Sequence, residues 1–309
     1  MAESPMRLRR QIDSAVDLQS VVRAMKAQAA AGISQYEKSV AAVAAYAEIV
    51  EQGLGAALRQ MRDSTPEQPV RAAASSVVRR AIVFGSDQGL VGRFNETVAT
   101  LAAQSLAASP GATRLWAVGD RVHAALAAVG LSPLAVLPVP TSVHGITGAV
   151  GGLLARVFED RDQVAAGSPH DDVSLQLVYN RPVPGSASTY EPVVQRLLPL
   201  DETWRQALMR RRWPTTCPPE VIGDLHHVLH DLVREQLFVS LFRACANSLA
   251  SENASRLAAM DRADTNIDKL LGGLHGRFHR LRQSTIDDQL SDVTAGFRAL
   301  ADPASGLEG

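Results

Sequence analysis

Two stretches without a single proline, residues 7–60 and 221–300, lie at opposite ends of the chain and constrain its fold more than any other feature. Proline removes a helix hydrogen bond and clashes with the preceding turn, so its absence over such lengths permits uninterrupted helices. In the first stretch Leu18, Val22, Met25, Ala29, Ile33, Tyr36, Val40, Val43, Val50 and Leu54 recur mostly at three- and four-residue steps, a period that predicts one amphipathic helix across residues 1–62. At about 1.5 Å per residue it would run roughly 80 Å, longer than a small domain is wide, so it must protrude or pair. The loop STPEQP, from Ser64 to Pro69, ends it. In the second stretch Leu225, Leu229, Leu232, Leu237, Leu241 and Leu249 are followed by Met260, Ile267, Leu274 and Leu281 at intervals of seven. Strict sevens impose a left-handed supercoil on a partner helix. They predict a helix over residues 219–301, its proline-free part roughly 120 Å long, paired antiparallel with the first to form a rod. Periodicity alone leaves open a bundle in which both helices break and fold back.

Between these runs the period changes. AIVFGS (81–86), LWAVG (115–119), LAVLPVP (134–140) and VSLQLVYN (173–180) are short, β-branched apolar segments separated by alanine-rich stretches. Strands alternating with helices predict a small, Rossmann-like α/β domain with a largely parallel sheet over residues 76–200. The segment RRWPTTCPPE, residues 211–220, is a proline-rich connector to the last helix. The fold class expected is therefore α/β plus coiled coil, with the α/β domain inserted between two long terminal helices.

Composition excludes several functions. No run of eighteen apolar residues is present, and MAESPMRLRR carries no apolar signal core, so a soluble cytosolic chain is expected. Thirty-one basic against thirty-two acidic residues and 5% aromatics support neither the electrostatics nor the stacking of nucleic-acid binding. Cys217 and Cys245 stand too far apart in sequence for a metal-ligand spacing and read as free thiols.

The segment SLASENASRLAAMDRADTNIDKL, residues 248–270, is helix-forming yet poor in large side chains. Small residues let two helices approach closely, and Glu252 and Arg256, four apart, add surface support. Ser251, Glu252, Ser255, Arg256, Leu257, Ala259, Met260, Thr265 and Asn266 resemble the most characteristic segment of the gamma subunit of F-type ATP synthases. GSDQGLVGRFN (85–95), with Ser86, Asp87, Gly89, Leu90 and Asn95, looks like that family's glycine-rich loop. QSVVRAMKAQAAAGI (19–33), with Arg23 and Met25, looks like its first helix, and LRQSTIDDQLSDVTAG (281–296) resembles its last. The four segments occur in the family's order and span nearly the whole chain.

The resemblance implies a non-catalytic, cofactor-free central-stalk subunit. It would carry torque between a membrane ring of c subunits and a hexamer of alpha and beta subunits, with an epsilon subunit as further partner. It also implies a position peripheral to the membrane, on the cytoplasmic face of the bacterial inner membrane, and contacts to the hexamer through Arg23, Met25, Arg282, Gln283, Asp287 and Gln289. Departures are specific: Val91 replaces the loop cysteine, Arg93 a glycine, Asp287 a threonine and Gln289 a glutamate. Lys26 and Gln28 are also unusual, and together these changes suggest a divergent branch such as the N-type ATPases. Gly272, Gly273 and Gly276 would soften the helix, at about 1 kcal/mol each relative to alanine.

Other features have plain readings. GSDQGLVGR lacks the spacing that aims a lysine and a hydroxyl at nucleotide, so it reads as a strand-to-helix turn rather than a phosphate cradle. His226 with His230, and His275 with His279, have zinc-like spacing but no completing ligands, and fit a solvated helix face. MRLRR (6–10) and MRRRW (209–213) could touch acidic partners or lipid headgroups, or be simply solvated. Nothing places a base beside a nucleophile. The remaining enzyme-class alternative is an α/β domain that binds a small phosphorylated ligand and dimerises through its helices.

Overall fold

A computed structural model describes residues 4–64, 78–107, 112–165, 174–183, 189–217 and 219–301. Most of the expected terminating loop at Ser64–Pro69, and the outer edge of the expected α/β domain at residues 76–77, lie outside the described residues. The order of elements is α1 (Pro5–Ser64), β1 (Arg79–Phe84), α2 (Phe94–Ala107), β2 (Thr113–Val118), α3 (Asp120–Ala128), β3 (Ala135–Leu137), α4 (Val143–Ala165), β4 (Ser174–Pro182), β5 (Tyr190–Leu198), α5 (Glu202–Arg210) and α6 (Leu225–Ala301). The terminal helices are continuous over 60 and 77 residues, which removes the broken-bundle alternative. The long helices are those read from the sequence, and the expected largely parallel sheet is present with one added antiparallel strand.

The chain divides into two compact units, residues 28–259 and the two terminal segments 1–27 with 260–309. In the larger unit the strands order as β3-β2-β1-β4-β5. β1 pairs in parallel with β2 and β4, β2 in parallel with β3, and β5 antiparallel with β4. Helices cover both faces. Ile82, Phe84, Trp116, Leu175 and Leu177 pack on α4 and on the Leu237–Ala250 part of α6, while Ala81, Val83, Leu115 and Val178 pack on α2 and α3. Double coverage explains why β1 is apolar at consecutive positions rather than alternating.

Two elements were not expected. β5 carries Pro192 and is mostly half-buried, a composition suited to an edge strand with one ladder unpaired. α5 begins at the N-cap Asp201, whose carboxylate accepts from the Trp204 N–H at 2.9 Å. It lays Leu208 against Leu54 and Leu58 of α1.

In the smaller unit the two terminal helices pack through Leu8, Ala15 and Leu274, joined by Ile12, Leu271, Phe278 and Leu281. Low residue numbers of α1 meet high ones of α6, so the pair is antiparallel. Met260, Ile267 and Leu274 are all buried, as their seven-residue spacing requires. Of the apolar residues of α1 in this unit, Leu8, Ala15 and Val22 are buried, also seven apart, whereas Leu18 is 54% exposed. Leu18 thus lies off the seam that the three- and four-residue reading assigned to it. Gly272, Gly273 and Gly276 lie inside α6, with nothing within 4 Å of an added Cβ.

Candidate functional site

The loop after β1 is built around its glycines and short polar side chains. A Cβ on Gly85 would stand 2.3 Å from the Val122 Cβ and 2.6 Å from Asn95 Oδ1, so only glycine fits there. Ser86 is fully buried. Its N–H donates to Asn95 Oδ1 at 3.0 Å, its hydroxyl donates to the Gln88 carbonyl at 2.9 Å, and Asn95 Nδ2 donates to Ser86 Oγ at 2.9 Å. Asp87 accepts from the backbone N–H of Asp120 at 3.0 Å and of Val139 at 2.8 Å, tying together the carboxyl ends of β1, β2 and β3. Leu90, at φ 63°, and Gly92, at φ 56°, then turn the chain into α2. Leu90 is held in a conformation L residues rarely adopt and points its side chain outward, 61% exposed. Gly89 has only an arginine of α3, Arg121, near it.

Helix α6 passes directly over this loop. Ser255 donates its hydroxyl to the Val91 carbonyl, Ser251 donates to the Asn180 carbonyl at 3.2 Å, and Asn180 Nδ2 donates to the Phe94 carbonyl at 3.0 Å. On the facing side of the helix a Cβ on Gly32 of α1 would meet the Asn253 side chain at 3.0 Å. The small residues of 248–259 are therefore required twice, against the sheet loop and against α1. In open α/β sheets the crevice beyond the strands' carboxyl ends, where strand order reverses, is the usual ligand site. Here the order reverses between β1 and β4, and α6 fills that part of the crevice with its own serines.

A cavity of about 340 Å³ remains beside it, lined by Gln28, Gly32, Tyr36, Asp87, Glu252 and Arg256 among others. Arg256 donates to Glu252 at 2.6 Å, both side chains largely buried. Burial pushes the Glu252 carboxyl up; Arg256 opposes the shift and the Asp87 charge adds to it. Burial also pushes the Tyr36 phenol up, with the Glu252 charge as the second cause. Two carboxylates facing one cavity oppose a phosphate group, so the geometry gives no support to the phosphorylated-ligand reading.

Ser86, Asp87, Asn95, Glu252 and Arg256 are thus brought together, with Asn180 and Tyr36 as partners the motifs did not signal. Asn180 could have been noticed only as a polar residue ending an otherwise apolar strand. Arg23, Met25, Met260, Asn266, Arg282, Gln283, Asp287 and Gln289 lie in the smaller unit. Met260 is buried and Asn266 exposed. Arg23 donates from Nε to Asp264 at 3.2 Å, so its charge is engaged within the chain, and Met25 is half-buried. Arg282, Gln283, Asp287 and Gln289 are exposed, with Gln283 donating to Asp287 at 3.3 Å. Next to them Ile286, Leu290, Val293 and Phe297 are 40–72% exposed, spaced four, three and four. His226, His230, His275 and His279 are exposed, and among the described residues no group of three or more metal-ligating side chains forms. Cys245 is buried, its thiol pushed up to about 12 by burial, and Cys217 is exposed.

The terminal helices of the smaller unit form an antiparallel pair, and in the larger unit α6 fills part of the sheet's crevice. The ATP synthase family model matches residues 4–300, and the chain belongs to that family. The ATP synthase gamma chain of Anaeromyxobacter sp. (strain Fw109-5) is 26% identical over 95% of this chain and 98% of its own. That of Moorella thermoacetica is 27% identical at the same coverage. Among solved structures, a chain of the Euglena gracilis mitochondrial ATP synthase superposes with a TM-score of 0.58, at 15% identity, covering 98% of this chain and 97% of that one. A chain from the central stalk and c-ring of the Tetrahymena thermophila enzyme gives 0.52 at 20% identity, covering 79% and 99%. These structural likenesses bear on the fold.

Proposed function

We propose that this chain is the rotating shaft of an ATP synthase, transmitting torque between a membrane ring of c subunits and a catalytic hexamer of alpha and beta subunits. It has no catalytic role of its own, and an epsilon subunit binds beside it on the cytoplasmic face of the bacterial inner membrane. The observation that carries the reading is the family match over residues 4–300, joined to two unbroken helices of 60 and 77 residues. The exposed stripe Ile286, Leu290, Val293 and Phe297 supports it, because an apolar helix face repeated at four and three suits a surrounding apolar sleeve. Arg282, Gln283, Asp287 and Gln289, beside that stripe, are the contacts we assign to the hexamer; Arg23 and Met25 are assigned a secondary part. No described helix is long and apolar enough to cross a membrane.

The test is co-expression with the alpha and beta subunits of the same genome, then size-exclusion chromatography and an ATPase assay on the assembled peak. One copy of this chain per hexamer, with hydrolysis dependent on it, is the expected result. Elution of the chain alone, with hydrolysis indifferent to it, would overturn the reading.

A further inference from the structure

The seam of the smaller unit contains one stretch that is polar where a coiled coil is ordinarily apolar. On α1 the buried sevens Leu8, Ala15 and Val22 interleave with positions 12, 19 and 26, which hold Ile12, Gln19 and Lys26. On α6 Met260, Ile267 and Leu274 interleave with positions 264, 271 and 278, which hold Asp264, Leu271 and Phe278. The polar members face one another. Gln19, 8% exposed, donates from Nε2 to Asp264 Oδ1 at 3.0 Å and to Asp268 Oδ1 at 2.6 Å. Arg23 adds its 3.2 Å contact to Asp264 and a longer one of 3.9 Å to Asp268, and Lys26 pairs with Asp261.

We propose that Gln19, Arg23 and Lys26 with Asp261, Asp264 and Asp268 are the register key of the paired terminal helices, setting which residues of α1 lie opposite which of α6. This stands on the packing of the smaller unit and does not depend on the assembly proposed above.

Apolar layers alone set register weakly here. The seam on either side is built of Ala15, Val22, Ile267 and Leu274, side chains similar enough that a shift by one heptad re-forms apolar contacts. The polar layer does not re-form in full. A shift of α6 by seven residues puts Leu257 or Leu271 where Asp264 stood, so Gln19 and Arg23 lose that acid either way; where Asp268 stood they meet Asp261 in one direction and His275 in the other. Leaving a buried amide without its partners costs about 1–3 kcal/mol. Asp261 and Asp268 are one heptad apart, as are Gln19 and Lys26, so a shift can re-form one outer contact, but Asp264 has no acidic counterpart at position 257 or 271 and only the native alignment satisfies all three acids. A single buried polar position is known to specify alignment in coiled coils at some cost in stability. The exposed Lys26 and Arg23 pairs contribute little adhesion; their part is to penalise the wrong alignment.

The test separates adhesion from alignment. In the full chain with Cys217→Ser, nitroxide labels at Asp17→Cys and Lys269→Cys, both exposed positions, report the distance across the pair by electron–electron double resonance. Replacing the layer by leucine (Gln19→Leu, Lys26→Leu, Asp264→Leu) adds apolar surface, so the melting temperature should hold or rise. The distance distribution should broaden or split, with a second population displaced by up to about 10 Å, the rise of one heptad. An unchanged single distribution would overturn the proposal, whatever the melting temperature does. Should the triple variant not fold, Lys26→Asp should broaden the distribution and adding Asp261→Lys should narrow it again. A Lys26→Asp distribution identical to the parent's would equally overturn it.

Discussion

Glu252 shows how one residue can be demanded by packing and yet cost stability. Its carboxylate is held by Arg256 at 2.6 Å, but Glu252 Oε2 and Arg256 Nε are buried without hydrogen-bond partners. Burial therefore outweighs pairing, and the carboxyl is pushed above its ordinary value. A folded state with the higher pKa binds more protons than the unfolded chain, so stability falls as pH rises from the ordinary glutamate value, about 4.3, through the raised one. Glu252→Gln keeps an acceptor for Arg256 and removes the titration. The stability of the parent relative to this variant should decline between pH 4.5 and 8 in urea denaturation. A relative stability that climbs with pH would mean that the ion pair, not burial, governs the site. The mutual satisfaction of Ser86 and Asn95 was not legible in the sequence, because a separation of nine positions hides a hydrogen bond that depends on where the loop closes.

At the scale of elements the long helices were legible because helix formation and pairing leave a periodic signature in side-chain size. The sevens of Met260, Ile267 and Leu274 survive as burial. Leu18 did not follow the pattern, because being apolar at a four-residue step does not say which of two adjacent stripes faces the partner. β5 and α5 were illegible for different reasons. β5 is an edge strand with a proline and a half-buried pattern, and α5 is a nine-residue helix carrying one fully buried side chain, Leu208. Gly272 and Gly273 offer a prediction at this scale. An added methyl meets nothing within 4 Å, so replacing each by alanine should stabilise the chain by about 1 kcal/mol, the difference in helix propensity. The gain should appear as a raised denaturation midpoint and slower amide exchange across residues 265–281. A lowered midpoint would show that the helix bends at these glycines and needs them.

For the whole molecule, the residues that close the cores differ from those we assign to assembly, so the two roles can be tested separately. The core of the larger unit is closed by Leu237, Leu241 and Leu249 of α6 and their sheet partners, and the smaller unit is closed by Leu8, Ala15 and Leu274. From Arg282 to Arg298 α6 contributes no buried side chain, yet this stretch carries Arg282, Gln283 and the exposed Ile286, Leu290, Val293 and Phe297. Apolar residues repeated along one face of a solvated helix are costly to solubility unless something covers them. Truncation after Ile286 should therefore leave the melting temperature of the isolated chain within about 2 °C, since little buried surface is lost. It should reduce the ATPase activity of the reconstituted hexamer several-fold, and Arg282→Ala should reduce it in the same direction by less. If truncation instead unfolds the isolated chain, the segment belongs to the chain's own core. If both variants support full turnover, the contacts that couple shaft to hexamer lie elsewhere on the helices, and the exposed face at Leu18, Val21 and Leu270 becomes the next place to look.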